Sequence, residues 1–264
     1  MSTERKGIAI VTGSAGAIGQ AIATRLAEDG YDVVLGDVPK KHDELESLAS
    51  DIRAKGRKAI VVVGDVTVES DVKTLVETAV QELGGLDVMV ANAGVFFGGP
   101  FLESTVENFD TIFAVNVRGT YLCFRYAAEQ MIKQGRGGRL LAASSVAGLV
   151  SEAFVAFYCS TKWAVRGLVA SVAKEVGRHG ITVNAYAPGI VAKTPLWEDV
   201  KSKIAEGMGL QDADDVDKAE TMNTAVGYLG KVEDVSNLVS FLVKKDSHFI
   251  TGQTISVNGG RFAQ

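Results

Sequence analysis

Cysteine is scarce in this chain of 264 residues, which holds two, Cys123 and Cys159. Two thiols make no disulfide framework and fit a reducing compartment. Cys159 reads as a small packed residue before it reads as a reactive thiol. No apolar run approaches the ~20 residues that a membrane span needs. A basic block is also missing, and a net charge of −5 argues against a nucleic-acid partner. The opening Met1–Gly7 is polar and charged, so no secretory signal is expected there. There is no internal repeat, low-complexity tract or linker. What is present, 47% hydrophobic and 22% charged residues, is the composition of a folded globular protein. The expectation is a cytoplasmic protein whose residues 1–264 make a single domain with one large core.

The chain opens with a strand, a glycine-rich turn and a helix. Gly7–Val11 is apolar, and Thr12-Gly13-Ser14-Ala15-Gly16-Ala17-Ile18-Gly19 follows. Ile18, Ile22, Ala23 and Leu26 then recur at helical spacing, with Gly30 where a C-cap belongs. Such a turn lets backbone N–H groups and a helix N-terminus meet a pyrophosphate. It is also what any tight strand-to-helix connection requires. The next strand, Asp32–Asp37, ends about 20 residues further on, where a carboxylate accepts hydrogen bonds from an adenosine ribose. A 2′-phosphate would be repelled by Asp37, which favours NAD over NADP, although Lys40 and Lys41 stand close. The alternative for Asp37 is a cap on the following helix.

Strands and helices continue to alternate: a helix over 43–55, a strand at Ala59–Val63 and an amphipathic helix over 70–83. A strand over 86–91 leads to Asn92-Ala93-Gly94. This order predicts an α/β fold, a doubly wound parallel sheet of Rossmann type with helices on both faces. Asp37, Asp65, Asn92 and the glycine turn all fall at carboxyl ends of strands, where such sheets bind ligands. Helical signals run from Thr105 to Val115 and on to Ile132. Asn116 sits inside them as a poor helix former, either solvated or marking a distortion with a polar role. A fifth strand, Arg139–Ala143, ends in Ser144-Ser145.

A long helix over 156–176 carries Tyr158 and Lys162. Four residues apart on a helix, phenol and ammonium share one face. A nearby positive charge favours the phenolate, so the pair suits general acid/base work on an alcohol or carbonyl. Taken alone, this spacing arises often by chance. Phe157, Val165, Leu168, Val169 and Val172 are expected to face the sheet. Ala156, Cys159, Trp163, Gly167 and Ala170 form a second stripe, which points to subunit packing. After the strand over 181–186 and Pro188-Gly189, the chain to about Gly230 reads as irregular. It looks like a lid over 190–230, whose acidic stretch 211–220 is solvated and holds no metal. A helix over 232–242 and a strand over 253–257 close the chain.

Across its whole length the sequence resembles the short-chain dehydrogenase/reductase superfamily. Thr12–Gly19 is similar to the family's Thr-Gly-x-x-x-Gly-x-Gly turn, with Ala17 in place of one glycine and Gly16 beside it. Asn92-Ala93-Gly94 matches most of Asn-Asn-Ala-Gly. Asn116, Ser145, Tyr158 and Lys162 fall in the order of the catalytic tetrad, with Ser145 13 residues before Tyr158. Pro188-Gly189 and the closing stretch from Thr251 to Gly260 match further landmarks.

The resemblance implies that Tyr158 exchanges a proton with the substrate oxygen. Lys162 would lower its pKa and hold the nicotinamide ribose, and Ser145 would hydrogen-bond the substrate oxygen. Asn116 would kink its helix and hold a water. It also implies a cofactor site made of Gly13, Gly16, Ile18, Gly19, Asp37, Asp65, Val66, Asn92, Gly94, Tyr158, Lys162, Val191 and Thr194, and a homotetramer.

The stretch from Tyr186 to Trp197 resembles the branch of acetoin/diacetyl reductases and 2,3-butanediol dehydrogenases, with one extra residue that puts Lys193 at the usual threonine position. The expected substrate is accordingly a small secondary alcohol or its ketone, held by Ser145 and Trp197. Phe96, Phe97 and Trp197 form an apolar pocket or serve as lid packing. The alternatives are a 3-oxoacyl thioester reductase, a polyol or cyclic-alcohol dehydrogenase, and a non-catalytic dinucleotide-binding regulator.

Overall fold

The structure, a computed structural model, describes residues 5–262; most of the polar opening stretch, residues 1–4, and residues 263–264 lie outside the described residues. Strands β1 (Gly7–Thr12), β2 (Tyr31–Asp37), β3 (Ala59–Val63), β4 (Val88–Ala91), β5 (Gly138–Ala143), β6 (Ile181–Pro188) and β7 (Thr254–Val257) form one sheet. Every pairing in it is parallel, in the order β3-β2-β1-β4-β5-β6-β7. The order reverses between β1 and β4, so a crevice opens at their carboxyl ends.

The inner strands are near-continuous apolar runs because both their faces are covered. All six residues of β1 are buried. Ile8 and Ile10 point into one core, and Ala9 and Val11 into the other, as the two-residue period of a strand requires. The first core takes Val72 and Leu75 from α3 (Glu69–Thr78), Phe124 and Ala127 from α5 (Thr120–Gln134), and Val165 and Val169 from α6 (Ala156–Val176). The second takes Ile22 and Leu26 from α1 (Ala17–Glu28), Leu45 from α2 (His42–Ala54), and Val235 and Val239 from α9 (Val232–Val243).

Three expectations are corrected. The helix read over 70–83 ends in a wider π turn at Ala79–Leu83, while a second π turn, at Ala114–Gly119, is the distortion that one of the two readings of Asn116 expects. The second of these joins α4 (Val106–Phe113) to α5. Phe157 does not face the sheet; it packs edge-on against Phe109 at 5.1 Å and Phe101 at 6.0 Å between ring centroids.

The segment to Gly230 is not irregular, for it contains α7 (Pro195–Met208) and α8 (Asp214–Met222). Thr194 caps α7, its hydroxyl accepting from Trp197 N, and Pro195 takes the first helical position. The acidic stretch is mostly α8, whose first-turn Asp214 and Asp215 suit the positive end of a helix. Trp197, Ala205 and Val216 make a third, small core for this pair of helices, separate from the two that cover the sheet.

Candidate active site

A cleft of about 1570 Å³ runs along the carboxyl edge of the sheet, from the glycine turn past the ends of β4, β5 and β6 to α7. It is larger than the ~300–1,000 Å³ usual for one small ligand. Gly13, Gly16, Ile18, Gly19, Asp37, Asp65, Val66, Asn92, Gly94, Ser145, Tyr158, Lys162, Val191, Thr194 and Trp197 all line it; Asn116 stands behind the wall.

The glycine turn is held open by close backbone approach. A Cβ on Gly19 would come within 2.1 Å of Gly13 O, and one on Gly13, at φ +67°, within 2.8 Å of Ala93 Cα. Gly16, by contrast, has nothing nearer than 3.4 Å, which leaves its outer side free for a ligand. Asp37 closes the turn from β2. Its Oδ2 accepts from Ala15 N at 2.9 Å and its Oδ1 from Val38 N at 2.8 Å. Asp65 Oδ1 accepts from Thr67 N at 2.8 Å, which sets Val66 at the rim. A glycine cradle opening a helix, with a carboxylate across from it, suits a dinucleotide's pyrophosphate and ribose hydroxyls.

Asn92 ties that cradle to the rest of the cleft. Its Nδ2 donates to Thr12 O at 3.0 Å and Gly13 O at 3.2 Å, and its Oδ1 accepts from the Tyr186 hydroxyl at 2.9 Å. Tyr186, fully buried on β6, was missed in the sequence, because a partner 94 residues away leaves no local signal.

Asn116 occupies the π turn, where its carboxamide clamps the strand-end segment. Oδ1 accepts from Val95 N at 2.8 Å, while Nδ2 donates to Val95 O at 3.0 Å and Thr161 Oγ1 at 3.2 Å. The side chain is thus fully used, and the distortion is one with a polar role. Lys162, 4% exposed, donates from Nζ to Ala143 O at 2.9 Å and lies 5.3 Å from the Tyr158 ring centroid. A Cβ on Gly94 would stand 3.3 Å from Asn116 Oδ1 and 3.7 Å from Lys162 Nζ, so the three are neighbours. Ser145 caps the short turn Val146–Gly148, its hydroxyl accepting from Ala147 N at 3.1 Å, and lines the cleft with Tyr158. Ser144 points elsewhere, toward Lys162 O at 3.3 Å.

Burial pushes the Tyr158 hydroxyl up to about 12, with the nearby Ser145 hydroxyl pulling the other way. It also brings the Lys162 ammonium down to about 8. Desolvation of the phenolate sets the direction for Tyr158, and Lys162 is not among the groups that shift it.

On the far side, the extra residue of the 191–194 stretch is absorbed at Lys193, whose φ of +58° makes a tight turn. This returns Thr194 to the helix cap, where its hydroxyl also donates to Val191 O at 2.9 Å. Phe96 meets Tyr158 edge-on at 5.0 Å. Phe97 is not in the cleft, so the expected Phe96–Phe97–Trp197 pocket is corrected to Phe96 and Trp197 with Phe154, Val155 and Leu196. Among the described residues no three His, Cys, Asp or Glu side chains are grouped so as to hold a metal, and no helix is long and apolar enough to cross a membrane.

Fold and cleft together define a nicotinamide-dependent oxidoreductase of the doubly wound class. The short chain dehydrogenase family matches residues 7–205, and the chain belongs to that family. It is 48% identical over 258 residues to the short-chain dehydrogenase/reductase eriH of Hericium erinaceus, covering 97% of this chain and 98% of that one. With a diacetyl reductase [(S)-acetoin forming] of Staphylococcus epidermidis it shares 40% identity over 252 residues, 96% of this chain and 97% of that one. A crystal structure of NAD+-bound xylitol dehydrogenase superposes with a TM-score of 0.92 at 30% identity, covering 98% of this chain and all of that one. The chain is an oxidoreductase acting on CH–OH groups, with affinity to the acetoin reductases of the family.

Proposed function

We propose that this protein interconverts a small secondary alcohol and its ketone, of the acetoin, diacetyl or butanediol kind, with NAD(H) as cofactor. The observation that carries the reading is that Lys162 stands 5.3 Å from the Tyr158 ring, with Ser145 lining the same cleft as the Asp37-closed glycine cradle. The cofactor supplies the hydride donor or acceptor. Gly13, Gly16, Ile18 and Gly19 hold its pyrophosphate, and Asp37 accepts from its adenosine ribose and disfavours a 2′-phosphate. Asp65 and Val66 flank the adenine, Asn92 and Gly94 border the ribose, and Val191 and Thr194 offer backbone near the carboxamide.

Tyr158 keeps its proton at neutral pH, the form that can protonate a carbonyl oxygen. Ser145 hydrogen-bonds that oxygen as charge develops on it. Lys162, held by Ala143 O and standing beside Asn116 and Gly94, is placed to grip the nicotinamide ribose. Trp197 and Phe96 bound the apolar end where the substrate carbon chain lies.

The chain is read as one domain over 1–264 with 190–230 as its substrate lid, acting in the cytoplasm. The exposed apolar faces of α4 and α6 support a homotetramer. The likeness to xylitol dehydrogenase favours a polyol as second reading.

The test follows NADH absorbance, its loss when NADH meets acetoin or diacetyl and its gain when NAD+ meets a polyol, each run beside the NADP(H) form. Tyr158→Phe is expected to lower kcat by roughly 10²–10⁴-fold with the NADH KM little changed. Wild-type turnover of none of these compounds, or a Tyr158→Phe variant as active as wild type, overturns the reading.

A further inference from the structure

Trp197 is buried at the substrate end of the cleft, and its indole N–H donates to Asp217 Oδ1 at 2.6 Å. The other oxygen of Asp217 accepts from Lys201 Nζ at 3.0 Å. Lys201 Nζ also meets Asp214 Oδ1 at 2.9 Å and Glu198 Oε2 at 2.9 Å. An ammonium has three protons, and these three carboxylates account for all of them.

The Lys201 side chain is only 9% exposed, whereas its partners Glu198 and Asp214 are 47% and 69% exposed. The cation is therefore inside and the acids stand around it. Removing a buried cation of this kind leaves carboxylates facing one another, and Asp217 is the one they would push. A part-buried indole needs a partner for its N–H, so a displaced Asp217 takes the Trp197 orientation with it. Among the described residues this cluster is the main polar tie between α7 and α8, whose shared apolar core is small and separate from the two cores of the sheet.

We propose that Lys201 is a positioning residue for substrate recognition: by fixing Asp217 it holds the Trp197 indole in one orientation and so sets the wall on which the substrate lies. The inference rests on the reading of the Trp197 end of the cleft as the substrate site. It predicts an effect on ketone binding that leaves the cofactor end, on the other side of Tyr158, undisturbed.

The chain has two tryptophans, so a Trp163→Phe background makes Trp197 the sole one, and Trp163 lies outside the cleft. In that background Lys201→Met, Lys201→Arg and Asp217→Asn are compared by tryptophan emission, acrylamide quenching and steady-state kinetics. Lys201→Met is expected to shift the emission to longer wavelength, raise quenching about two-fold and raise the ketone KM roughly ten-fold, with the NADH KM within about two-fold of its starting value. Lys201→Arg, which keeps the charge, restores most of each change. Asp217→Asn keeps an oxygen for the indole but loses the ion pair, and falls between.

Unchanged emission and quenching in Lys201→Met overturn the proposal. So does a lower Tm with kinetics intact, or a rise of both KM values together. If Lys201→Met does not fold, Asp217→Asn decides by the same readouts. If the wild-type protein turns over none of the ketones, the substrate reading fails on its own, and emission and quenching alone decide whether Lys201 orients Trp197.

Discussion

A lysine buried like Lys162 carries a cost that depends on pH. Its folded-state value of about 8 lies below the 10.5 of a free lysine. Between those values the unfolded chain binds the extra proton, so stability rises with pH across the window, and the cost is fully present below about 8. Tyr158, raised above the free value of 10.0, works in the opposite direction, but only above pH 10. Urea unfolding of the cofactor-free protein at about pH 7.5 and 9.5 should show a gain of roughly 2 kcal/mol in wild type relative to Lys162→Met. A difference independent of pH would mean that the ammonium is not desolvated. The Tyr158–Lys162 pair was legible in the sequence because helical periodicity alone puts both groups on one face. Its acidity was not, because desolvation depends on what the rest of the chain lays over the helix. The Lys201 cluster escaped notice for a related reason. Asp214 and Asp217 read as solvated until α7 is known to bring a cation against them.

At the scale of elements, the glycine turn and α1 are the tightest join in the fold. Gly19 lies in the first turn of α1 against Gly13 O, and an added methyl must push the turn out of shape. Gly19→Ala should lower stability by about 1–3 kcal/mol. It should also abolish the rise in Tm that NAD gives the wild-type protein, so thermal unfolding with and without NAD checks both. An unaltered rise would show that the turn does not hold the cofactor. Strand and helix order was legible because strands buried on both faces are unbroken apolar runs, and β3 and α6 have the spans expected. The π turn at Ala114–Gly119 had only the oddity of Asn116 to announce it. Its cause is tertiary, the clamp on Val95. The lid helices were missed because their apolar faces cover a core of few residues, too sparse for a periodic signal. The Thr194-Pro195 start was the cue available.

Across the whole molecule, apolar surface is left on the outer side of α4 and α6. Val106 is 70% exposed, Phe109 39% and Trp163 43%, and Phe109 meets Phe157 edge-on. Exposed aromatic area of this kind is what subunit contacts cover. Phe109→Glu should therefore lower the solution mass from four chains to two or one by light scattering. A wild-type protein that is already monomeric would remove the homotetramer. The second stripe of α6 and the family resemblance raised this expectation, whereas the contribution of Phe101, on a short turn, and of Phe109, on α4, depends on tertiary packing that local patterning does not resolve.

The Tyr186–Asn92 hydrogen bond bears on how the molecule comes into being. Strands β1 and β4, which carry the cradle, leave the ribosome early, but the donor that completes Asn92 arrives only with β6. A nascent chain that stops short of Tyr186 holds the glycine turn with Asn92 Oδ1 lacking this donor. The brace of the glycine turn is thus made only after Ser145, Tyr158 and Lys162 have been synthesised.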